Sequence, residues 1–350
     1  MLLYLHVPFC QTKCHYCSFH SYIQHNSLKE AYIKAVMVQF QNEAKHFNLA
    51  PASLSSFFIG GGTPSTLTPA QYAPLFEIIS PYLHPEAEIS TEANPNTANR
   101  SWIEGMIALG VNRMSFGVQS FHQDKLAFLG RNHTNDEACR AIETAASLGV
   151  NSVSIDLMYG TAMDTKTSLK KELDFAFALP ISHLSAYALT LEEGTLFYNR
   201  TETLNPSEPL ARWFAKAITH RGFKQYEISN FGTVFCQHNL GYWEHRRYIG
   251  LGCGAVGYDG TARLYPSQEI HTYLKKPATQ RREVLSPQEI ITEKIFLGLR
   301  SHVGVAMGLL TPEQQARASL LEKEKKVFFS NDRVYNCDYF LSDELALFIL

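Results

Sequence analysis

The stretch CQTKCHYCSF, residues 10–19, sets three cysteines at positions 10, 14 and 17 and follows them with Ser18 and Phe19. Cysteines this close together, in a chain without a secretory leader, read as metal ligands rather than as a disulfide framework. A structural zinc site takes four ligands, usually as two separated pairs. No second pair lies at hairpin spacing here, so a zinc reading must borrow His6, His15 or His20 as its fourth ligand. An iron–sulfur cluster fits better. Cubane clusters normally take four thiolates, so three of them, Cys10, Cys14 and Cys17, leave one iron with an open position for a cofactor or substrate.

The sequence around this loop alternates strand-like and helix-like patterns. Short apolar runs at LLYLHV, SSFFIG, AEISTEA, RMSFGV, SVSIDLMYG and HLSAYALT are each followed by a helical stretch. Such alternation predicts βαβ units and a parallel sheet. Six of these units suit a partial (β/α)6 barrel, an α/β fold of the TIM-like kind. The polar motifs HVPFC, GGGTP, EANP, GVQS and DLMYG all fall where a strand ends, which in β/α barrels is the active-site rim. The pattern divides the chain into a barrel over 1–230, a connecting segment over 231–285 and a small, mostly helical C-terminal domain over 286–350. That last domain is predicted to close on a β-ribbon, with LALFIL at its end as a strand or a last helical turn.

Composition narrows the function class. Hydrophobic residues make up 45% and charged residues 18% of 350, which describes a globular chain with a large core. A formal net charge of −2 offers no basic footprint for nucleic acid. The first ten residues, MLLYLHVPFC, lack a basic n-region and a cleavage site, and no apolar run reaches membrane-spanning length. The expectation is a soluble, cytoplasmic protein. Cys139, on a helix at core spacing, and Cys337 read as ordinary buried residues.

With the motifs in view, the chain resembles the radical S-adenosylmethionine (SAM) superfamily. In that superfamily a CX3CX2C loop holds a 4Fe-4S cluster whose fourth iron binds SAM. The order YLHVPFC, GGGTP, STEANP, FGVQSF, LGRNH and SIDLMYG is similar to the coproporphyrinogen dehydrogenase (HemN) group and its relatives, the HemW-type haem chaperones. Carried over by motif, Tyr4, Gly61, Gly62, Thr63 and Glu92 line the SAM site, and Gln119, Arg131, Asp156 and Ala188 match positions that complete the pocket or hold a second SAM in the dehydrogenase. Tyr16 and Phe19, beside the last cysteine, join this cofactor-binding set. The plainer reading of Arg131 and Asp156 is a structural ion pair across the rim.

Two features separate the relatives. The dehydrogenases usually add a fourth cysteine two residues after the third, where this chain has Phe19. HNLGYW, residues 238–243, is similar to the HNXXYW signature of the haem chaperones. His238, Asn239, Tyr242 and Trp243 are therefore haem candidates, since an imidazole can ligate the iron and aromatic rings can stack on a porphyrin. His245 and Cys253 are rival ligands, and the plain alternative is a capped turn with two core aromatics. The chain departs from the family at Val256, where a histidine is usual, and at YGTAMDT (159–165), where YGLPGQT is usual. The resemblance implies a chaperone that carries haem to haem-requiring apoproteins, respiratory and membrane-associated ones among them. The alternatives are oxygen-independent coproporphyrinogen III dehydrogenation and a zinc-bearing structural protein.

Overall fold

Six apolar runs bounded by glycine, proline or asparagine become parallel strands in the computed structural model, which describes residues 1–23 and 25–350. They are β1 (Leu2–Val7), β2 (Leu54–Gly61), β3 (Leu83–Ala93), β4 (Arg113–Gln119), β5 (Ser152–Tyr159) and β6 (His183–Ala188). Each pairs in parallel with the next, in chain order. Helices α1 (Lys29–His46), α2 (Pro69–Ile79), α3 (Arg100–Ala108), α4 (Asn135–Ser147) and α5 (Lys166–Ala178) cover the outside. Several start on a reciprocal cap: Thr68 with Gln71, Thr134 with Glu137 and Thr165 with Ser168 each satisfy two otherwise orphaned backbone donors.

Tyr4, Phe58, Glu92, Arg113, Asp156 and Tyr187 come one from each of the six strands, yet they line a single cavity. The sheet therefore curls around its inner face, as a partial barrel requires. It does not close, because β1 and β6 have other neighbours. After α6 (Glu208–Thr219), the short strands β7 (Lys224–Gln225) and β8 (Asn230–Gly232) extend the β6 edge antiparallel. On the other edge, β9 (Tyr248–Leu251) runs parallel to β1, and β10 (Gly257–Tyr258), β11 (Ala262–Pro266) and β12 (Gln280–Val284) follow antiparallel. The result is a twelve-stranded mixed sheet. Residues 231–285, read as a connecting segment, thus contribute most of β8 and all of β9 to β12 to it.

The segment HNLGYW forms most of a short helix, α7 (Gln237–Trp243), which crosses the amino ends of the strands. Glu88 on β3 accepts hydrogen bonds from the backbone N–H groups of Gln237 (2.9 Å) and His238 (3.1 Å), so a strand carboxylate caps the helix. At Gly241 a Cβ would lie 2.5 Å from a Leu2 methyl, so only glycine lets α7 approach β1 this closely.

The C-terminal residues build a second core. Ile295 and Leu299 on α8 (Pro287–Leu299) and Leu321 on α9 (Pro312–Lys323) pack with Val327, Val334, Leu345 and Ile349. The β-ribbon is present as β14 (Val327–Ser330) and β15 (Arg333–Asn336), and β13 (Val305–Ala306) pairs with β15. The chain does not end there: α10 (Ser342–Ile349) follows. Leu345 and Ile349 are four apart, so one helical face buries both, and this is why LALFIL is helix and not strand. Backbone bonds from Ile228 to Arg300 (3.0 Å) and from His302 to Tyr226 (2.8 Å) tie this unit to the barrel.

Candidate functional site

The cysteine loop is fixed at the carboxyl ends of the strands. Phe9–Cys10 pairs in parallel with Tyr22–Ile23, closing the loop at its base. Lys13 Nζ donates to the Phe19 carbonyl (2.7 Å), and His15 bonds through Nδ1 to the Phe128 carbonyl (2.8 Å). Cys10, Cys14 and Cys17 are half-buried, free of disulfides, and line a cavity of about 430 Å³.

That cavity gathers most of the residues picked out by motif. Gly61, Gly62 and Thr63 enter from the turn after β2, Glu92 from β3, and Gln119 from the end of β4. Arg131, Asp156 and Ala188 come from the next three segments, while Tyr16 and Phe19 come from the cysteine loop itself. Phe19 is 63% exposed at the mouth. Its replacement by alanine is expected to change unfolding free energy by less than about 0.5 kcal/mol, measured by denaturant titration, because an exposed ring holds nothing together.

Tyr4 lies elsewhere. It lines a second, lower cavity of about 280 Å³ and bonds to His6 Nδ1 (3.0 Å). Glu92 and Asp156 border both cavities, so the two are contiguous.

The upper cavity fits an iron–sulfur group. Thr63 Oγ1 donates to Cys10 Sγ (3.5 Å), and an Arg131 guanidinium nitrogen donates to Cys14 Sγ (3.4 Å). Both donors suit sulfur that carries negative charge. A Cβ on Gly62 would lie 3.0 Å from Cys10 Sγ and 2.9 Å from the Val7 carbonyl, so glycine keeps this approach open. The single-ion zinc reading fails on donors. Among the described residues no three His, Cys, Asp or Glu side chains converge on one ion. His6 has both ring nitrogens bonded, His15 turns to Phe128, and His20 bonds to the Tyr22 hydroxyl (3.1 Å).

Charge in the site is set by burial. Burial, aided by the Asp156 charge, lifts Glu92 to about 8 against the opposing Gly61 N–H, which donates to it at 3.1 Å. Its carboxyl is thus mainly protonated at neutral pH until a cation arrives. Burial also raises Asp156 and Cys17. Gln119 holds a left-handed backbone (φ +64°), with a register shift in β4 just before it, and such strain in a non-glycine residue gathers at functional sites. The expected ion pair of Arg131 with Asp156 does not form. Arg131 binds Asn94 Oδ1 and the Gly117 carbonyl, both at 2.6 Å, and Asp156 accepts from Ser115 (3.2 Å).

The haem candidates lie on and around α7. His238 is 1% exposed, with Nδ1 bonded to Ser56 Oγ (2.8 Å) and Nε2 to the Tyr242 hydroxyl (2.9 Å). Burial, and then the Arg113 charge, depress it to about 3. Asn239 and Tyr242 line the lower cavity with it, whereas Trp243 lines neither. Of the rivals, His245 is held by Glu293 (2.8 Å), and the Cys253 thiol donates to the Gln268 carbonyl (3.1 Å). Both ring nitrogens of His238, the Nε2 of His245 and the thiol of Cys253 are thus engaged in this conformation.

Sequence reasoning missed Arg113, Ser115, Ser185 and Tyr187, all in the lower cavity. The signal was period-two polarity. Arg113 and Ser115, Ser154 and Asp156, and His183 and Ser185 alternate with apolar residues in strands buried on both faces, which marks an inward polar row.

The chain is similar to known proteins over most of its length. Residues 4–176 match the Radical SAM superfamily. The chain is 34% identical over 322 residues to heme chaperone HemW of Bacillus subtilis, covering 87% of this chain and 84% of the relative. It is 37% identical over 263 residues to heme chaperone HemW of Escherichia coli, covering 73% and 69%. Among solved structures, coproporphyrinogen III oxidase (HemN) from Escherichia coli superposes with a TM-score of 0.83 at 19% identity, covering 99% of this chain and 89% of that one, a likeness of fold.

Proposed function

The chain belongs to the HemW family of the radical SAM superfamily, and from that premise we propose that it is a cytoplasmic haem chaperone built on a 4Fe-4S and SAM-binding barrel. The observation that carries the reading is the upper cavity, where three free thiols, two donors to sulfur and a proton-bearing Glu92 meet within one chain. When bound, the cluster would supply one-electron chemistry to SAM through its open iron.

The chain's own residues do the rest. Cys10, Cys14 and Cys17 would hold the cluster, and Arg131 and Thr63 would stabilise charge on its sulfur ligands. Glu92 would lose its proton to receive the SAM ammonium, with Gly61 and Gly62 leaving room for the backbone approach. Gln119, Asp156 and Ala188 would complete the pocket, and Tyr16 and Phe19 would border it. Haem would be bound and passed to apoproteins that hold it more tightly, respiratory and membrane-associated proteins being the proposed acceptors. Among the described residues no helix is long and apolar enough to cross a membrane.

The test is anaerobic reconstitution with iron and sulfide, followed by haem titration. The expected result is four irons per chain and a Soret shift on adding haem. Absence of the shift would overturn haem carriage, and repeated turnover of coproporphyrinogen III would assign the dehydrogenase activity instead. His238→Gln, which can preserve hydrogen bonds to Ser56 and Tyr242, is expected to retain the Soret shift, because both imidazole nitrogens are already engaged. Loss of the shift in a folded variant would return His238 to the ligand set.

A further inference from the structure

The lower cavity has no part in holding the cluster, and it contains an anomaly. Arg113, the first residue of β4, is 3% exposed. Its Nε has no hydrogen-bond partner, and one terminal nitrogen reaches His183 Nδ1 only at 3.4 Å. None of the ion pairs among the described residues includes it. A guanidinium stays charged at any ordinary pH, and a charge buried without a partner is costly.

The surrounding groups do not neutralise it. Glu88 and Asp156 act on Arg113 through space, but Glu88 caps α7 and Asp156 accepts from Ser115. Glu92, at the top of the cavity, carries a proton at neutral pH, and His238 in the floor is neutral. The remaining lining is Phe58, the rings of Tyr4, Tyr187 and Tyr242, and the small polar side chains of Ser185 and Asn239. The space therefore combines one buried cation, phenolic hydroxyls and an apolar wall. Its volume of about 280 Å³ equals roughly nine waters at their share of the liquid, enough for a short molecule and too little for a porphyrin.

We infer that this cavity is a binding site for a single carboxylate group, held by the Arg113 guanidinium beneath the cluster site. A carboxylate is favoured over a phosphate dianion by charge: one guanidinium balances one negative charge, and a second would find no further cation among the lining residues. The carboxylate can belong to a free short-chain acid. It can also be the propionate arm of a larger ligand seated above, because the two cavities share Glu92, Asp156 and Tyr187. Only the second source rests on the haem reading.

The experiment has one arm for each source. Carbon-13 propionate is titrated into the protein and followed by NMR line broadening. Haem and its dimethyl ester, in which both propionates are blocked, are compared by Soret titration. A free acid predicts propionate binding that Arg113→Gln abolishes and Arg113→Lys weakens. A ligand arm predicts that haem binds at least tenfold more tightly than its ester in the wild type and equally in Arg113→Gln. Asn239→Trp places an indole in the cavity from its half-buried floor without removing the charge, and keeps the test decisive if the arginine variants do not fold. It predicts the same losses. If propionate does not bind and haem and ester bind alike in the wild type, or if binding is indifferent to these variants, the site is overturned. The propionate arm needs neither cluster nor haem, so its outcome is independent of the proposed function.

Discussion

Replacing Lys125 by methionine is expected to lower the unfolding free energy by about 3–5 kcal/mol, the usual cost of removing one partner from a buried ion pair. The Lys125 side chain is 3% exposed and those of Asp164 and Glu172 are 1% and 2%. Its ammonium donates to Asp164 Oδ1 and to the Met158 carbonyl, both at 2.7 Å, and lies 3.7 Å from Glu172. Asp164 turns its other oxygen to the Thr161 N–H (2.8 Å) and hydroxyl (2.9 Å), while Glu172 accepts from the Phe121 N–H (2.6 Å) and from Ser120. Without the lysine, two carboxylates remain in the interior. The measurement is a urea midpoint shift at unchanged slope. Adding Asp164→Asn should recover part of the loss by removing one of the stranded charges. A loss below about 1 kcal/mol would mean that the pair is not desolvated. The network also bears on the site, because it holds the loop after β5, and Met158 lines the upper cavity.

This loop is one of the two places where the sequence departs from its family, and it shows what can be read from sequence and what cannot. In sequence YGTAMDT shows only as a departure from the usual YGLPGQT. In the structure its Asp164 pairs with Lys125, 39 residues away, and nothing local in the chain announces that partner. The six strands, by contrast, were legible because parallel strands buried on both faces leave continuous apolar runs punctuated by turn residues. The upper cavity was legible because its residues sit in motifs at strand ends, where spacing along the chain maps onto a ring in space. The lower cavity was not, because Arg113, Ser185 and Tyr187 belong to it through the inward row of a curled sheet. The placement of HNLGYW was not legible for a related reason. An imidazole and two aromatics suit a haem surface and a buried helix equally well, and only the Ser56 hydroxyl and the Glu88 cap, contributed by distant strands, decide where α7 lies.

Stability is expected to be nearly level between about pH 4.5 and 6.5 and to fall on both sides, through two sets of buried groups that act oppositely. Burial lowers His133 to about 4, His238 to about 3 and His183 well below its ordinary 6.5. Below 6.5 the unfolded chain takes up protons at these histidines and the folded protein does not. Each one therefore removes about 1.4 kcal/mol per pH unit as pH falls through its window. Burial raises Glu43 and Glu227 to about 7 and Glu92 to about 8, from an ordinary 4.5. Here the folded protein keeps protons that the unfolded chain has released, so stability is lost as pH rises from 4.5 to 7 or 8. His6 and His20 are lowered and Asp156 is raised by burial in the same way, so between 4.5 and 6.5 the two sets oppose each other and the slopes largely cancel. Below 4.5 the histidines are joined by carboxylates held below their ordinary range, Glu269 and Asp259 among them, and above 6.5 the raised carboxyls dominate. Between pH 6.5 and 8 the loss is on the order of 3 kcal/mol, the portion above 7 belonging to Glu92. Urea midpoints from pH 4 to 8.5 on the cluster-free protein check this, and Glu92→Gln should flatten the curve above pH 7 alone. A curve that keeps rising to pH 8 would show that Glu92 is ionised in the folded protein. The cavity would then be prepared for the SAM ammonium by a standing negative charge and not by a proton given up on binding.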